Sequence, residues 1–264
     1  MAWIGKFIGG TIGLTLGGPL GMIAGIAFGN MFDHAGEEGF NNTTEGTPYF
    51  QQNARRSGSR SDDRKMTFFV ATFSMLARLA QADGDVSEKE RRTVLSFIDN
   101  DLRLDYVSKQ AALNVFNTAL TNSGTVDEFA TQFYQCFAHD QAQLQIMVDI
   151  LFRVGVSDGM LDIKESDIIK RVVRIFHFSE SYFDAMSRRY GGASISEGSY
   201  TVLGLTSKAS DDEVKKAYRK MSIEYHPDTV QAKGLPDDFV QVATKKFREI
   251  QDAYDTIKRE RNIK

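Results

Sequence analysis

Cysteine and proline are both scarce in this chain of 264 residues. The single cysteine, Cys136, excludes an internal disulfide and a Cys-x-x-Cys zinc module, and it is typical of a reducing compartment. Proline is absent from residues 64–190, where apolar side chains recur at helical spacing. The net charge of -3 argues against a nucleic-acid partner. We therefore expect an all-α protein that does not bind nucleic acid.

Charged side chains are absent from residues 7–29, a run long enough as a helix to cross a hydrocarbon core of about 30 Å. Closely packed membrane helices use glycine at every fourth position. We therefore expect a transmembrane anchor over residues 1–33, in contact with membrane lipid, that forms a homodimer and is kinked at Pro19. The glycines of this ladder are Gly5, Gly9, Gly13, Gly17, Gly21, Gly25 and Gly29.

Two other interpretations of the N-terminal segment remain open. A cleaved signal peptide would also have a positive start, at Lys6, and a small-residue cleavage site near residues 25–27. A glycine-rich soluble loop is the second alternative, although the absence of charge and the large apolar residues weigh against it. The positions of the positive charges leave the orientation in a membrane open.

The rest of the chain divides by composition. Residues 34–63 are rich in Gly, Asn, Thr, Ser and Arg, which is typical of a flexible tether. Residues 64–190 predict a helical bundle, and residues 191–198 predict a short linker before the last domain, 199–264. Long apolar stripes predict bundle helices around residues 66–80 and 144–154. Further helices are predicted at 88–100, 106–121, 126–139, 163–177 and 179–190.

The bundle contains a weak internal duplication. Residues 82–90 and 157–165 share the pattern Asp-Gly-x-apolar-(Ser/Asp)-x-x-Glu, and neither matches a calcium-binding EF-hand loop. Glycines that end helices and capping boxes that begin the next ones would explain both copies. Alternatively, their carboxylates converge as oxygen ligands of a divalent cation, which is the only cofactor that we consider. The candidate ligands are Asp83, Asp85, Glu90, Asp158 and Glu165.

The last domain begins with a strongly basic helix. Ser210 is placed to cap it with Glu213, and an apolar stripe from Val214 to Tyr225 predicts its buried face. Pro227 ends this helix, so the tripeptide His226-Pro227-Asp228 lies on a turn before a second helix that starts near residues 235–236. The positive side chains on the other faces of the first helix are Lys215, Lys216, Arg219 and Lys220.

An acid–base pair or a metal site formed by His226 and Asp228 is the enzymatic alternative. No nucleophile, cysteine cluster or second histidine accompanies the two residues in sequence. We therefore expect a protein that is not an enzyme.

These residues resemble the J-domain, the helical hairpin with which DnaJ-type co-chaperones recruit and stimulate a DnaK-type ATPase chaperone. The resemblance covers Ser199 to about Ile263 and includes Tyr-x-Val-Leu-Gly-Leu, Lys-Lys-Ala-Tyr-Arg-Lys and His-Pro-Asp. Family members often have Lys or Arg after the tripeptide, whereas this chain has Thr229. The resemblance implies that the tripeptide contacts the chaperone, and that an acidic surface of the chaperone meets Lys215, Arg219 and Lys220, with Tyr218 helping.

The bundle is similar to TerB-like domains, helical modules with paired Asp-Gly motifs. The order of anchor, tether, TerB-like bundle and J-domain resembles DjlA-type membrane-anchored DnaJ-like co-chaperones. This resemblance implies a single-pass protein of the bacterial inner membrane with its bulk in the cytoplasm. The alternative function is a membrane stress-sensing scaffold whose TerB-like domain binds a cation or a peptide.

Overall fold

The computed structural model describes residues 17–35, 60–157, 159, 161–191 and 195–263. The described residues form helices joined by turns, which confirms the all-α prediction for this part of the chain. The α-helices are α1 (Gly18–Ala35), α2 (Arg60–Ala80), α3 (Glu88–Ser96), α4 (Tyr106–Thr121), α5 (Val126–Phe137), α6 (Gln141–Gly155), α7 (Ile163–Ile175), α8 (Glu180–Tyr190), α9 (Ile195–Val202), α10 (Asp211–Glu224), α11 (Pro227–Ala232) and α12 (Val240–Arg261).

Helix α2 is the centre of the bundle. It packs against α4, α5 and α6, and its side chains are buried on almost every face. Phe68, Phe69 and Phe73 have no exposed surface. Since nearly all of α2 is covered, it supplies the core that a bundle of this size needs.

Short-range sequence signals fix the ends of the bundle helices. Ser87 and Glu90 form a capping box at α3, and Asp162 and Glu165 form another at α7. The predicted helix 88–100 is interrupted, because α3 ends at Ser96 and a π-helical turn continues over Phe97–Leu102. The other predicted bundle helices are confirmed within a few residues.

The C-terminal helices form a second packed unit. Helix α10 packs on α12, and the rings of Tyr218 and Tyr254 stack with centroids 4.0 Å apart. Arg261 closes the unit from the end of α12, because its guanidinium donates to the hydroxyl of Tyr200 (2.6 Å) and to the carbonyl of Ser207 (2.6 Å). Helix α9 begins at Ile195, so part of the predicted linker 191–198 is helical.

The predicted anchor is described only in its second half, as α1. Gly5, Gly9 and Gly13 lie outside the described residues, Gly17 precedes α1, and the remaining ladder glycines lie in it. Within the described ranges we find no helix both long enough and apolar enough to cross a membrane. Pro19 does not kink a continuing helix as expected. It occupies the first turn of α1, where a missing N–H is not needed.

Candidate functional site

Helix α10 presents the basic face that the sequence predicts. Its start is fixed by a capping box, in which the Glu213 carboxylate accepts from the backbone N–H of Ser210 (2.7 Å) and from the Ser210 hydroxyl (2.9 Å). The backbone bond and then the hydroxyl bond lower the pKa of Glu213 from its ordinary value. The negative charge therefore stays at the N-terminus of α10, where the helix dipole favours it.

The cations of α10 differ in exposure. Lys216, Arg219 and Lys220 are exposed, whereas Lys215 is half-buried. Lys220 lies 3.8 Å from the Glu224 carboxylate, and its side chain is 62% exposed. Within the described part of the chain, the side chains of Lys216 and Arg219 have no hydrogen bond or ion pair. These charges are therefore available to an external partner.

The His-Pro-Asp tripeptide forms the junction between α10 and α11. The backbone N–H of Asp228 donates to Nδ1 of His226 (3.3 Å), and Pro227 is the first residue of α11. The Asp228 side chain is 89% exposed and that of His226 is 49% exposed. The ring of His226 meets Phe247 of α12 edge-on at 5.7 Å. The turn thus presents a carboxylate and an imidazole to solvent on a fixed backbone.

The residues that flank the turn are anchored in the bundle, which the sequence did not reveal. Tyr225 is buried and its hydroxyl donates to Gln145 of α6. After the turn, Nε2 of Gln143 donates to the carbonyl of Val230 (3.3 Å). The sequence predicts only a turn between α10 and the next helix, whereas the structure has the short helix α11 there. The exposed tripeptide therefore lies between two segments held by the bundle.

An aromatic contact extends this interface. Phe239, which precedes α12, has no exposed surface and packs edge-on against Phe68 of α2 with centroids 5.1 Å apart. Arg64 adds polar contacts beside it, donating to the carbonyls of Lys233 (2.9 Å) and Cys136 (2.7 Å). Bundle and C-terminal unit share one continuous core.

A buried charge cluster joins α12 to the bundle. Asp149 of α6 is almost fully buried and lies 3.2 Å from Lys246, 3.5 Å from Arg189 and 3.7 Å from Arg153. Burial opposes its charge, but the attraction of these cations outweighs burial and lowers the pKa of Asp149. Burial lowers the pKa of Lys246 to about 8, although the nearby charge of Asp149 raises it in part. Arg189 also pairs with Glu249 of α12.

A side-chain contact links the neighbourhoods of the two Asp-Gly motifs. The hydroxyl of Thr93, after the first motif, lies 3.1 Å from the hydroxyl of Ser157, just before the second. The carboxylates of Glu90 and Glu165 accept from the N–H groups of their own helix caps, at 2.6 Å and 3.1 Å. Gly84 and Gly159 adopt positive φ values of 128° and 115°, which favour glycine, in the turns that follow α2 and α6. Capping thus accounts for both glutamates.

The five candidate cation ligands are not all described. Asp83 and Asp85 are exposed, and Asp158 lies outside the described residues. Among the residues that the structure describes, no three His, Cys, Asp or Glu side chains are grouped to hold a metal ion. The divalent cation stays a prediction.

Comparison with known proteins identifies the family. The chain is 31% identical over 281 residues to the co-chaperone protein DjlA of Coxiella burnetii, with 100% of both chains covered. The chain belongs to the DjlA co-chaperone family. The protein of the same name from Photobacterium profundum is 30% identical, over 98% of this chain and 99% of its own length. That from Escherichia coli K12 is 26% identical, over the full length of both chains.

Family models divide the chain in the order that the sequence suggested. The model of the co-chaperone DjlA transmembrane domain matches residues 1–55, that of the tellurite resistance protein TerB matches 69–188, and that of the DnaJ domain matches 198–264. The proposed resemblance is therefore confirmed, and the match at the N-terminus implies a membrane-anchored protein. No solved structure matches the chain.

Proposed function

We propose that this protein recruits a DnaK-type ATPase chaperone to a membrane and stimulates its ATP hydrolysis. The contact is made by His226, Pro227 and Asp228 together with the basic face of α10. The protein itself catalyses no reaction and acts through the chaperone. Its DnaJ-domain match and its DjlA relatives support a co-chaperone role.

The proposal depends most on one observation: the exposed His-Pro-Asp turn lies between two buried residues. Asp228 is 89% exposed, while Tyr225 and Val230, on either side of the tripeptide, are buried. The exposed cations Arg219 and Lys220 lie on the helix that leads into the turn. The exposed positive charge is complementary to an acidic surface of the partner. Because the turn is already fixed, binding has to order few additional side chains.

Single-turnover ATP hydrolysis by a purified DnaK-type chaperone tests this function. The full chain, reconstituted in lipid vesicles, should raise the hydrolysis rate, and His226→Gln should abolish the increase because it removes the imidazole of the turn. His177→Gln is the matched control, since His177 is also exposed but lies on the bundle beside Tyr134. Equal stimulation by wild type and His226→Gln would refute the assignment of the turn.

We further propose that the anchor crosses the bacterial inner membrane once and leaves the bundle and J-domain in the cytoplasm. A chaperone that hydrolyses ATP requires that side of the membrane. We also propose that the glycine ladder joins two anchors in a homodimer. Gly29→Leu should lower the dimer yield in membrane cross-linking, and an unchanged yield would contradict a ladder interface at that position.

A further inference from the structure

Helix α1 occupies an apolar groove on the bundle, with walls formed by α2, α4 and α5. The buried side chains follow the i, i+3, i+4, i+7, i+8 pattern of one helical face. Each retains at most 1% of its exposed surface. They are Leu20, Ile23, Ala24, Ala27 and Phe28. Met22 and Ile26, on the opposite face, remain exposed.

The groove also binds the polar start of α1. The first turn of any helix has N–H groups without intrahelical partners. Here the side-chain amide of Gln132, on α5, supplies one partner, because its Oε1 accepts from the N–H of Leu20 (3.0 Å). Its Nε2 donates to the carbonyl of Gly17 (2.8 Å). The groove therefore combines apolar burial with a cap that recognises the beginning of this helix.

The same residues lie inside the match to a transmembrane domain, which covers residues 1–55. A helix that lies in the bilayer cannot also occupy the groove. Both places remove the apolar face from water, and lipid chains are about as apolar as leucine side chains. In the groove, Met22 and Ile26 stay exposed to water, whereas in the bilayer they are covered but the apolar walls of the groove are uncovered. Each state therefore leaves some apolar surface in water, and a fully solvated α1 leaves the most.

We propose that residues 18–28 exchange between the membrane and this groove, which is the docking site for the second half of the protein's own anchor. This inference rests on the proposed membrane anchoring. The groove shelters the segment when no bilayer holds it, and insertion leaves the groove open. Because residues 36–59 connect α1 directly to α2, one wall of the groove, docking within one chain has a high effective concentration.

The glycines at the start of α1 suit such an exchange. Gly17 and Gly18 have φ values of 51° and 57°, a left-handed conformation that ends the helix on its N-terminal side. A continuous membrane helix over residues 7–29 requires right-handed φ values at both positions. Glycine adopts either conformation without steric cost, so these two residues permit the transition.

A cysteine pair across the groove tests the proposal in the full chain. Met22 and Asn122 are suitable positions for a thiol cross-linker, since Sδ of Met22 lies 3.3 Å from Nδ2 of Asn122. Because cysteine is shorter than both side chains, a spacer is needed to join the two thiols. Met22→Cys/Asn122→Cys, with Cys136→Ser, is synthesised in a cell-free extract with or without lipid vesicles and then treated with a bis-methanethiosulfonate, which joins two nearby thiols through two disulfides and a short spacer. We expect an intramolecular disulfide link without vesicles and its loss in the carbonate-resistant, vesicle-inserted fraction.

A matched pair controls for the cross-linking reaction and for folding. Thr93→Cys/Ser157→Cys joins two positions within the bundle whose hydroxyls are 3.1 Å apart, so it should cross-link in both conditions. If only this control pair forms without vesicles, the groove assignment is wrong. An undiminished groove disulfide in the inserted fraction would overturn the exchange. Without vesicles, a covalent dimer that joins position 22 of one copy to position 122 of another would mean that the helix of a second copy fills the groove, which also overturns the proposal.

Two variants separate the groove from the anchor. Gln132→Ala should lower the disulfide yield without vesicles, because the start of α1 loses both bonds to the amide. Gly29→Leu should leave this yield unchanged, since Gly29 is exposed and a Cβ added there meets no atom within 4 Å. An unchanged yield in Gln132→Ala would refute the capping role. Extraction of the chain from vesicles by carbonate would refute the anchor and the exchange, while a disulfide without vesicles would still identify the groove.

Discussion

Replacing Asp149 with asparagine should destabilise the protein more than any exposed charge change. The Asp149 carboxylate is the shared anion of a buried cluster that spans the bundle and α12. Its exposed side-chain surface is 3%, and that of Lys246 is 7%. An asparagine side chain keeps the shape but removes the negative charge, so Lys246 remains buried without an anionic partner, whereas Arg189 keeps Glu249.

The expected loss follows from this burial. Removing one partner of a buried ion pair typically costs about 3–5 kcal/mol, whereas an exposed pair contributes about 0–1 kcal/mol. Arg153 retains a second partner, since its guanidinium lies 3.1 Å from Asp101. Lys246 has no second carboxylate within ion-pair distance among the described residues. The free energy of unfolding of Asp149→Asn should therefore fall by about 3 kcal/mol, with Lys246 responsible for much of the loss.

Urea unfolding of the full chain in detergent micelles, followed by circular dichroism, measures this loss. Lys246→Met is the partner variant, because it removes the charge while retaining much of the side-chain volume. The double variant should be more stable than the sum of the single losses predicts, by about 1–3 kcal/mol. A loss below about 1 kcal/mol for Asp149→Asn, or additive losses in the double variant, would refute the reasoning.

Two further predictions concern charge. The pKa of Lys246 is about 8 in the folded protein and 10.5 in the reference state, so the unfolded chain binds more protons between these values. Stability measured by urea unfolding should therefore rise by about 2 kcal/mol from pH 8 to pH 10, and Lys246→Met should remove this rise. Arg219→Ala/Lys220→Ala should weaken chaperone binding in fluorescence anisotropy roughly fivefold and flatten its salt dependence. Lys258→Ala/Arg259→Ala, an equal charge change at the far end of α12, should do neither. Equal effects of the two double variants would refute a specific basic face.

Local signals in the sequence predict much of the fold. The Ser210–Glu213 capping box and the buried face from Val214 to Tyr225 follow from residue spacing alone, because helix ends and helix faces depend on near neighbours. The turn at the tripeptide is also a local effect. Proline restricts both its own conformation and that of the residue before it.

Contacts between distant segments could not be predicted in this way. Asp149 occupies an apolar helix in the sequence, and its partners Arg189 and Lys246 lie 40 and 97 residues away. The polar side chain of Gln132 likewise gave no indication that it would bind the start of α1, 112 residues away. Such contacts depend on tertiary packing, which residue spacing does not encode. The sequence therefore predicts the exposed residues of the turn but not the contacts that hold its two ends on the bundle.

Hydrogen–deuterium exchange of the full chain with an ATP-bound DnaK-type chaperone locates the docking surface. The chaperone should slow exchange in residues 211–232, which contain α10, the tripeptide and α11. His226→Gln should remove this protection. Protection confined to the TerB-like bundle, or unchanged exchange in residues 211–232, would contradict the proposed docking surface.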